Sequence, residues 1–112
     1  MFKVVRRIVN PKAIEAVRRN QCEICPSRWG VEVHHIFTRG ANGPDIPENL
    51  INLCKQHHHG SIPPRHVLIA KVAEREGRTP EEVEDIIRES RRTGVYNPPP
   101  RISRNNVGLI AL

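Results

Sequence analysis

Aromatic side chains are scarce in this chain: two phenylalanines, one tryptophan and one tyrosine make up 4% of its 112 residues. So few rings cannot build a platform on which successive bases stack, and we expect little base-specific recognition by stacking. Apolar residues of all kinds reach 38%, which is a thin core for this length. We therefore expect one small domain with tails, reinforced by a metal ion or by disulfides.

Cysteines and long apolar runs are also in short supply. The chain has three cysteines, an odd number that cannot all pair with one another. It contains no apolar run of membrane length, and the segment Met1–Arg7 is too short and too charged for a signal peptide or a membrane helix. We expect a cytoplasmic protein with no membrane partner, whose reduced cysteines bind a metal ion.

Acidic residues are outnumbered, with 12 aspartates and glutamates against 18 lysines and arginines, so the net charge is +6. A basic chain of this kind favours a polyanionic partner, because lysine and arginine neutralise phosphates whatever the nucleotide sequence. The alternative is a basic surface with no partner.

Local patterns predict a helix, two strands and a connecting loop in the first half of the chain. Asn10-Pro11 is typical of a helix start, and the helix is predicted over 11–20. Two short apolar segments, 31–37 and 50–54, are predicted strands, and the Gly- and Pro-rich segment 38–48 is predicted as the loop between them. A further helix is predicted to start near Cys54 or Lys55 and to turn the following histidines toward the first strand.

The second half is predicted to be a helical hairpin. One helix runs from Pro63-Pro64 to about Glu76, and a second begins at the capping box Thr79-Pro80-Glu81-Glu82 and runs to about Arg92. Packing on the metal module is the favoured role for this hairpin, and a DNA-reading helix-turn-helix is the alternative. Pro98-Pro99-Pro100 indicates an extended segment, and the tail after it is either flexible or an arm that docks on a partner.

Two ligand couples with the same short spacing indicate a structural metal site. Cys22-x-x-Cys25 and Cys54-x-x-His57 each present two side chains from one tight turn, which is how tetrahedral zinc is usually bound. A Cys22–Cys25 disulfide is the competing interpretation, but it leaves Cys54 and His57 without a purpose. The final ligand stays open, because three histidines are consecutive at residues 57–59 and spacing alone does not choose among them.

Four motifs between about Asn20 and Gly60 resemble those of the HNH endonuclease family. Cys-x-x-Cys, Val-His-His-Ile, Pro-Glu-Asn-Leu and Leu-Cys-x-x-His-His occur in the family's order and approximate spacing. The resemblance implies an α+β fold: a small zinc-stapled ββα-metal domain, treble-clef-like, with flanking helices. The expected segments are an N-terminal segment and helix (1–21), the nuclease core (22–60), the hairpin packed on it (61–93) and a Pro-rich extended tail (94–112).

The resemblance also implies roles for individual residues. His34 and His58 match ligands of a catalytic divalent ion, and His35 matches the general base that takes a proton from the attacking water. Asn49 matches the asparagine that holds the base histidine by hydrogen bonding and stiffens the loop. Asn52 is a neighbouring alternative, but its place in a strand favours an exposed strand residue.

The chain departs from the family after the last motif histidine. A further ligand is usual about one helical turn later, where this chain has Ile62, which cannot bind a metal. His59 is the expected replacement ligand and His66 a remoter candidate.

The expected function is metal-dependent hydrolysis of DNA phosphodiester bonds, by nicking or double-strand cleavage. A neutral imidazole is a suitable base at physiological pH, and Mg²⁺ or Mn²⁺ is the expected catalytic ion, with Ni²⁺, Co²⁺ or Zn²⁺ also compatible with imidazole ligands. Arg39, Lys55 and Arg65 are expected to contact DNA. Small nucleases of this family are frequent in phages and near phage packaging genes, which suggests a phage packaging protein or another protein as a partner. The alternative function is a non-catalytic zinc treble-clef module that binds DNA.

Overall fold

A computed structural model describes residues 5–101, which form an α+β domain. Its regular elements, in chain order, are α1 (Pro11–Val17), β1 (Glu32–His35), β2 (Leu50–Leu53), α2 (Arg65–Glu76) and α3 (Pro80–Thr93). Two 3₁₀ turns, Arg39–Ala41 and Pro47–Asn49, shape the connection between the strands, and a π-helical turn, Gln56–Gly60, follows β2. Within residues 5–101 no helix is both long and apolar enough to cross a membrane.

The two strands pair antiparallel, with His34 opposite Ile51 and His35 opposite Leu50. Successive side chains alternate between the two faces of the sheet. On one face, Leu50 packs with Ala13 and Val17 of α1. The other face meets the main core.

The main core lies between the sheet and the hairpin of α2 and α3. Ile51 and Leu53 of β2 are fully buried there against apolar residues that recur every three or four positions along both helices. Each valine, leucine or isoleucine side chain of this core contributes roughly 1.5–3 kcal/mol when fully removed from water. The helix residues of this core are Leu68, Ile69, Val72, Ala73, Val83, Ile86 and Ile87.

The hairpin therefore packs on the sheet through its apolar stripe, as favoured from the sequence. The predicted capping box is present: Thr79 Oγ1 accepts from the Glu82 N–H, and the Glu82 carboxylate accepts from the Thr79 N–H, both at 3.1 Å. Gly77 ends α2 with a φ of +66°, a left-handed conformation that glycine adopts at little cost.

Buried polar contacts attach the hairpin to the Cys22–Cys25 turn and to the turn before β2. Arg75 pairs with Glu23 at 2.8 Å and donates to the carbonyls of Pro47 and Leu50 at 2.6 and 2.9 Å. Arg78 lies 3.3 Å from the fully buried carboxylate of Glu48. Both arginines thus satisfy acceptors that the loop would otherwise leave unpaired in the interior.

The first helix is shorter than predicted, and Asn52 explains where it ends. α1 stops at Val17 instead of residue 20. Asn52 donates to the Val17 carbonyl at 3.0 Å and accepts from the Arg19 N–H at 2.9 Å. The prediction that Asn52 is an exposed strand residue is wrong: it is fully buried and satisfies the polar groups at the end of α1.

Other boundaries shift for similar reasons. β1 covers Glu32–His35 and not 31–37, because the N–H groups of Ile36 and Phe37 bond to the backbone and the side chain of Asn49. Asn10 precedes α1 as predicted, but its side chain makes no capping bond. The helix predicted from Pro63 begins at Arg65.

The extended segment after α3 packs on the hairpin as far as it is described. The Tyr96 hydroxyl donates to Glu48 at 2.8 Å, and Arg78 donates to the Pro99 carbonyl at 2.8 Å. Arg101 pairs with Glu76 at 2.6 Å. The rest of the predicted tail, residues 102–112, lies outside the described residues.

Candidate functional site

Three cysteines and one histidine come together in a cluster that could hold a metal ion such as zinc. The Nδ1 atom of His57 lies 3.6, 3.5 and 3.3 Å from the sulfurs of Cys22, Cys25 and Cys54, and the sulfurs of Cys25 and Cys54 are 3.7 Å apart. Bond lengths of about 2.3 Å to sulfur and 2.0–2.1 Å to nitrogen give tetrahedral edges of about 3.8 and 3.5 Å. The separations therefore match four-coordinate zinc.

Backbone geometry assembles this cluster from three segments. Cys22 and Cys25 belong to a tight turn closed by a 2.9 Å bond from the Cys22 N–H to the Ser27 carbonyl. Cys54 directly follows β2, and His57 lies in the π-helical turn. All three cysteines are free, so the competing Cys22–Cys25 disulfide is absent.

The electrostatics of the cluster favour the metal-binding form of at least one sulfur. A hydrogen bond from the His57 backbone N–H, with further ones from the neighbouring side chains, lowers the pKa of Cys54 to about 6 in spite of burial. The hydrogen bond with Cys22 raises the pKa of His57. A thiolate that forms near neutral pH is the species that binds zinc.

A second cluster joins Glu32, His58 and His59. His58 Nδ1 lies 3.0 Å and His59 Nε2 lies 3.7 Å from Glu32 Oε2. The groups are not aligned for a hydrogen bond at His58, and its buried Nδ1 has no hydrogen-bond partner among the described residues. Ligands about 2.1 Å from an ion lie about 3.0–3.4 Å apart, so the orphaned His58 nitrogen and the Glu32 carboxylate are spaced for a shared cation, whereas His59 is slightly too far from Glu32 as it stands.

His34 borders this second cluster. Its ring makes an edge-to-face contact with His58, with 5.2 Å between the centroids. Burial lowers the pKa of His34, and the charges of His58 and His35 lower it further. The neutral imidazole is therefore favoured, which is the form that binds metals.

Glu32 is the site residue that sequence reasoning missed. It stands two positions before His34, so strand alternation places both on one face, and this was the signal that could have found it. Ile62 is exposed, and the remoter candidate His66, also exposed, belongs to neither cluster. Among the three consecutive histidines, the structure groups His57 with the cysteines and His58 and His59 with Glu32.

His35 lies on the opposite face of β1, in a separate buried pocket. Its Nε2 is 2.7 Å from Asp45 Oδ1, and both side chains are almost fully buried. Arg7 donates to the same carboxylate oxygen at 2.7 Å, and the Asn10 N–H donates to the other at 2.9 Å.

Asn49 is buried and stiffens the loop between the strands. Its side chain accepts from the Phe37 N–H at 2.8 Å and donates to the carbonyls of Phe37 and Pro44 at 3.0 Å. The expected side-chain bond to His35 is not among its bonds in residues 5–101. The direct partner of His35 is Asp45.

The predicted DNA-contacting cations flank β1 at its two ends. Lys55 lies over the exposed Trp29, 4.9 Å from the ring centroid. Beyond the other end, Arg65 and Arg91 both lie over the Phe37 ring, at 4.0 and 4.7 Å. Arg39 is exposed in the nearby 3₁₀ turn. Arg91, on α3, was not predicted.

Comparison with family models, with curated proteins and with solved structures finds no match to this chain.

Proposed function

We propose that this protein is a metal-dependent endonuclease of the HNH type that hydrolyses DNA phosphodiester bonds. The observation that most supports the proposal is the second cluster. Glu32, His58 and His59 assemble beside His34, and the adjacent residue His57 joins the three cysteines. One π-helical turn thus supplies histidines to two clusters that could each hold a metal ion. The turn lies next to β1, the strand that carries His34 and His35.

In this proposal the cluster of Cys22, Cys25, Cys54 and His57 holds zinc, and its role is folding. It connects the turn before β1 to the end of β2, as a treble-clef-like ββα-metal domain requires. The closed set of four protein ligands is typical of structural zinc sites, which leave no position open for substrate.

The second cluster is the proposed catalytic centre. Glu32, His34, His58 and His59 would hold a divalent ion such as Mg²⁺ or Mn²⁺, or Ni²⁺, Co²⁺ or Zn²⁺, which imidazole ligands also accept. When bound, that ion supplies charge stabilisation at the phosphate and assistance to the departing oxygen.

His35 is the proposed general base. Histidines 34 and 35 project from opposite faces of β1, and within residues 5–101 β1 pairs with another strand along one edge only. A phosphate at the free edge would have the cation ligands on one side and the His35 imidazole on the other. With Nε2 committed to Asp45, Nδ1 is the nitrogen available to take a proton from water.

The cations beside the strand are proposed to bind the DNA backbone. Lys55, Arg39, Arg65 and Arg91 form no ion pair with a carboxylate within residues 5–101, in contrast to Arg88 and Arg92 on α3. Unpaired cations are free to neutralise phosphates, and together with the net charge of +6 they support binding of low sequence specificity.

A plasmid-nicking assay across Mg²⁺, Mn²⁺, Ni²⁺, Co²⁺ and Zn²⁺ tests the proposal. The wild-type protein should nick supercoiled plasmid in a metal-dependent way, and His35→Ala should reduce the rate by about 10²- to 10⁴-fold. His66→Ala is the matched control, because this exposed histidine belongs to neither cluster and its loss should leave the rate unchanged.

Undiminished cleavage by His35→Ala would show that another group is the base. DNA binding without cleavage under any metal, with one bound metal per chain, would instead support the non-catalytic zinc module.

A further inference from the structure

We propose that Asp45 is a positioning residue for His35: its carboxylate accepts the Nε2–H of the imidazole and leaves Nδ1 as the basic nitrogen. The inference rests on the proposed nuclease function and assigns a role to a loop residue that lies outside the four sequence motifs given above. It depends on a 2.7 Å contact between His35 Nε2 and Asp45 Oδ1 in a pocket where Asp45 is only 2% exposed.

The pocket holds the carboxylate from several sides. Arg7 Nη1 donates to Oδ1 at 2.7 Å, and the same guanidinium nitrogen lies 3.1 Å from the Gly43 carbonyl. The Asn10 N–H donates to Oδ2 at 2.9 Å. Three donors from two segments, the stretch before α1 and strand β1, therefore converge on Asp45, and one of them is the proposed base.

The loop backbone is equally constrained. The Asp45 N–H bonds to the Ile8 carbonyl at 3.0 Å, and the Gly43 N–H bonds to the Thr38 carbonyl at 2.8 Å. A Cβ at Gly43 would lie 1.6 Å from the Phe37 carbonyl oxygen, so only glycine allows the loop to fold back this closely. Asp45 thus has little freedom to move away from His35.

This arrangement gives Asp45 two effects on a base. The hydrogen bond selects the tautomer with the proton on Nε2 and holds the ring orientation, and the negative charge stabilises the imidazolium that forms when Nδ1 takes a proton. Burial raises the pKa of Asp45, but hydrogen bonds from His35, Asn10 and Arg7 outweigh it and hold the pKa below its usual value. The carboxylate is therefore ionised at neutral pH.

Steady-state kinetics on plasmid, with the metal that supports wild-type nicking, test this role. Asp45→Asn keeps the shape but removes the charge, and it should lower kcat by about 10²-fold with little change in KM, a loss within the range of general-base catalysis. The control is Asp85→Asn, the same change at an exposed aspartate paired with Arg88 on α3. It should leave both constants unchanged.

A second readout does not depend on cleavage. Proton NMR of the wild-type protein should show a downfield, slowly exchanging Nε2–H resonance, assigned to His35 by its loss in His35→Gln. Asp45→Ala should remove it and Asp85→Asn should keep it. Circular dichroism checks that each variant is folded. If Asp45→Ala does not fold, the kinetic comparison of Asp45→Asn with the wild type is the test of the role of Asp45.

The outcomes separate the two proposals. Wild-type kcat in folded Asp45→Asn, or a change in KM alone, overturns the positioning role and leaves the nuclease assignment intact. If the wild-type protein cleaves nothing, the nuclease assignment fails, and the NMR experiment alone tests the hydrogen bond between Asp45 and His35. Loss of the Nε2–H resonance in Asp45→Ala supports that bond. Absence of the resonance from the wild-type spectrum contradicts it.

Discussion

Asn49 and Asn52 are both fully buried, and each satisfies polar backbone groups of a different segment. Asn49 bonds to the loop at Phe37 and Pro44, while Asn52 bonds to the end of α1 and to Glu23. A buried amide with several partners is costly to lose, because its partners are then left unpaired away from water.

Replacing Asn52 by alanine should lower the free energy of unfolding by about 1–3 kcal/mol, since the Arg19 N–H and the Val17 carbonyl lose their partner. Urea unfolding of the metal-loaded protein measures the change. Asn97→Ala is the control, because Asn97 is exposed and such changes usually stay within about 0.5 kcal/mol. Equal stability of the two variants would contradict a structural role for Asn52.

Tyr96 offers a direct test of the contact between the extended segment and Glu48. Burial raises the pKa of Tyr96, and the hydrogen bond and negative charge of Glu48 raise it further. The folded state therefore holds the phenol proton more tightly than the unfolded chain. The stability from this contact is present below the unfolded pKa near 10 and is lost as the pH rises through the higher folded pKa.

Because Tyr96 is the only tyrosine in the chain, absorbance of tyrosinate reports on it alone. Titration should show ionisation well above pH 10 in the folded protein and near pH 10 in denaturant. Glu48→Gln should lower the pKa of Tyr96 in the folded protein, because it removes the negative charge beside the phenol. If Tyr96 of the folded protein ionises near pH 10, as it does in denaturant, its hydroxyl does not contact Glu48.

At the level of elements, the π-helical turn Gln56–Gly60 distributes three consecutive histidines between two clusters. Successive residues of a helical turn point in different directions around its axis, so three neighbours cannot all face one ion. His57 faces the cysteines, and His58 and His59 face Glu32. The turn follows β2 directly, which keeps both clusters beside the sheet.

Single substitutions in this turn should separate the two clusters. His57→Ala should weaken zinc binding and destabilise the fold, because it removes one of four ligands. His58→Ala should keep the zinc and lose a second divalent ion. Elemental analysis, together with Co²⁺ absorption, which shows thiolate bands only for the cysteine cluster, measures both effects.

His66→Ala again supplies the control and should retain both ions. Loss of zinc from His58→Ala with zinc retained in His57→Ala would reverse the assignment.

At the scale of the whole molecule, a thin core is shared by a two-stranded sheet and a helical hairpin. Cys22 and Cys54 belong to the same buried cluster as Ile51 and Val72, so the proposed zinc site is continuous with the core. Free energy of metal binding at such a site is also free energy of folding. The small sheet alone would be marginal.

Removing the zinc should therefore unfold much of the domain. A strong chelator is expected to lower the melting temperature sharply and to reduce the helical signal, and added Zn²⁺ should restore both. Circular dichroism during thermal unfolding measures this. An unchanged melting temperature in protein shown by elemental analysis to be metal-free would exclude a structural role.

The local parts of this fold were predictable because local sequence specifies them. The helix start at Pro80, its capping box and the apolar stripes of α2 and α3 depend on residues within a few positions of one another. The spacing of Cys22-x-x-Cys25 and Cys54-x-x-His57 likewise indicated a set of metal ligands, and the structure brings these four side chains together in a cluster that could hold a metal ion.

By itself, then, the sequence determined the elements, the two ligand couples and the basic charge. Only the tertiary structure decided that His57 completes the cysteine cluster, that Glu32 joins His58 and His59, that Asn52 is buried, and that Asp45 meets His35. Each of these depends on which side chains of separate segments come into contact, and such contacts depend on how the sheet, the loop and α1 pack together.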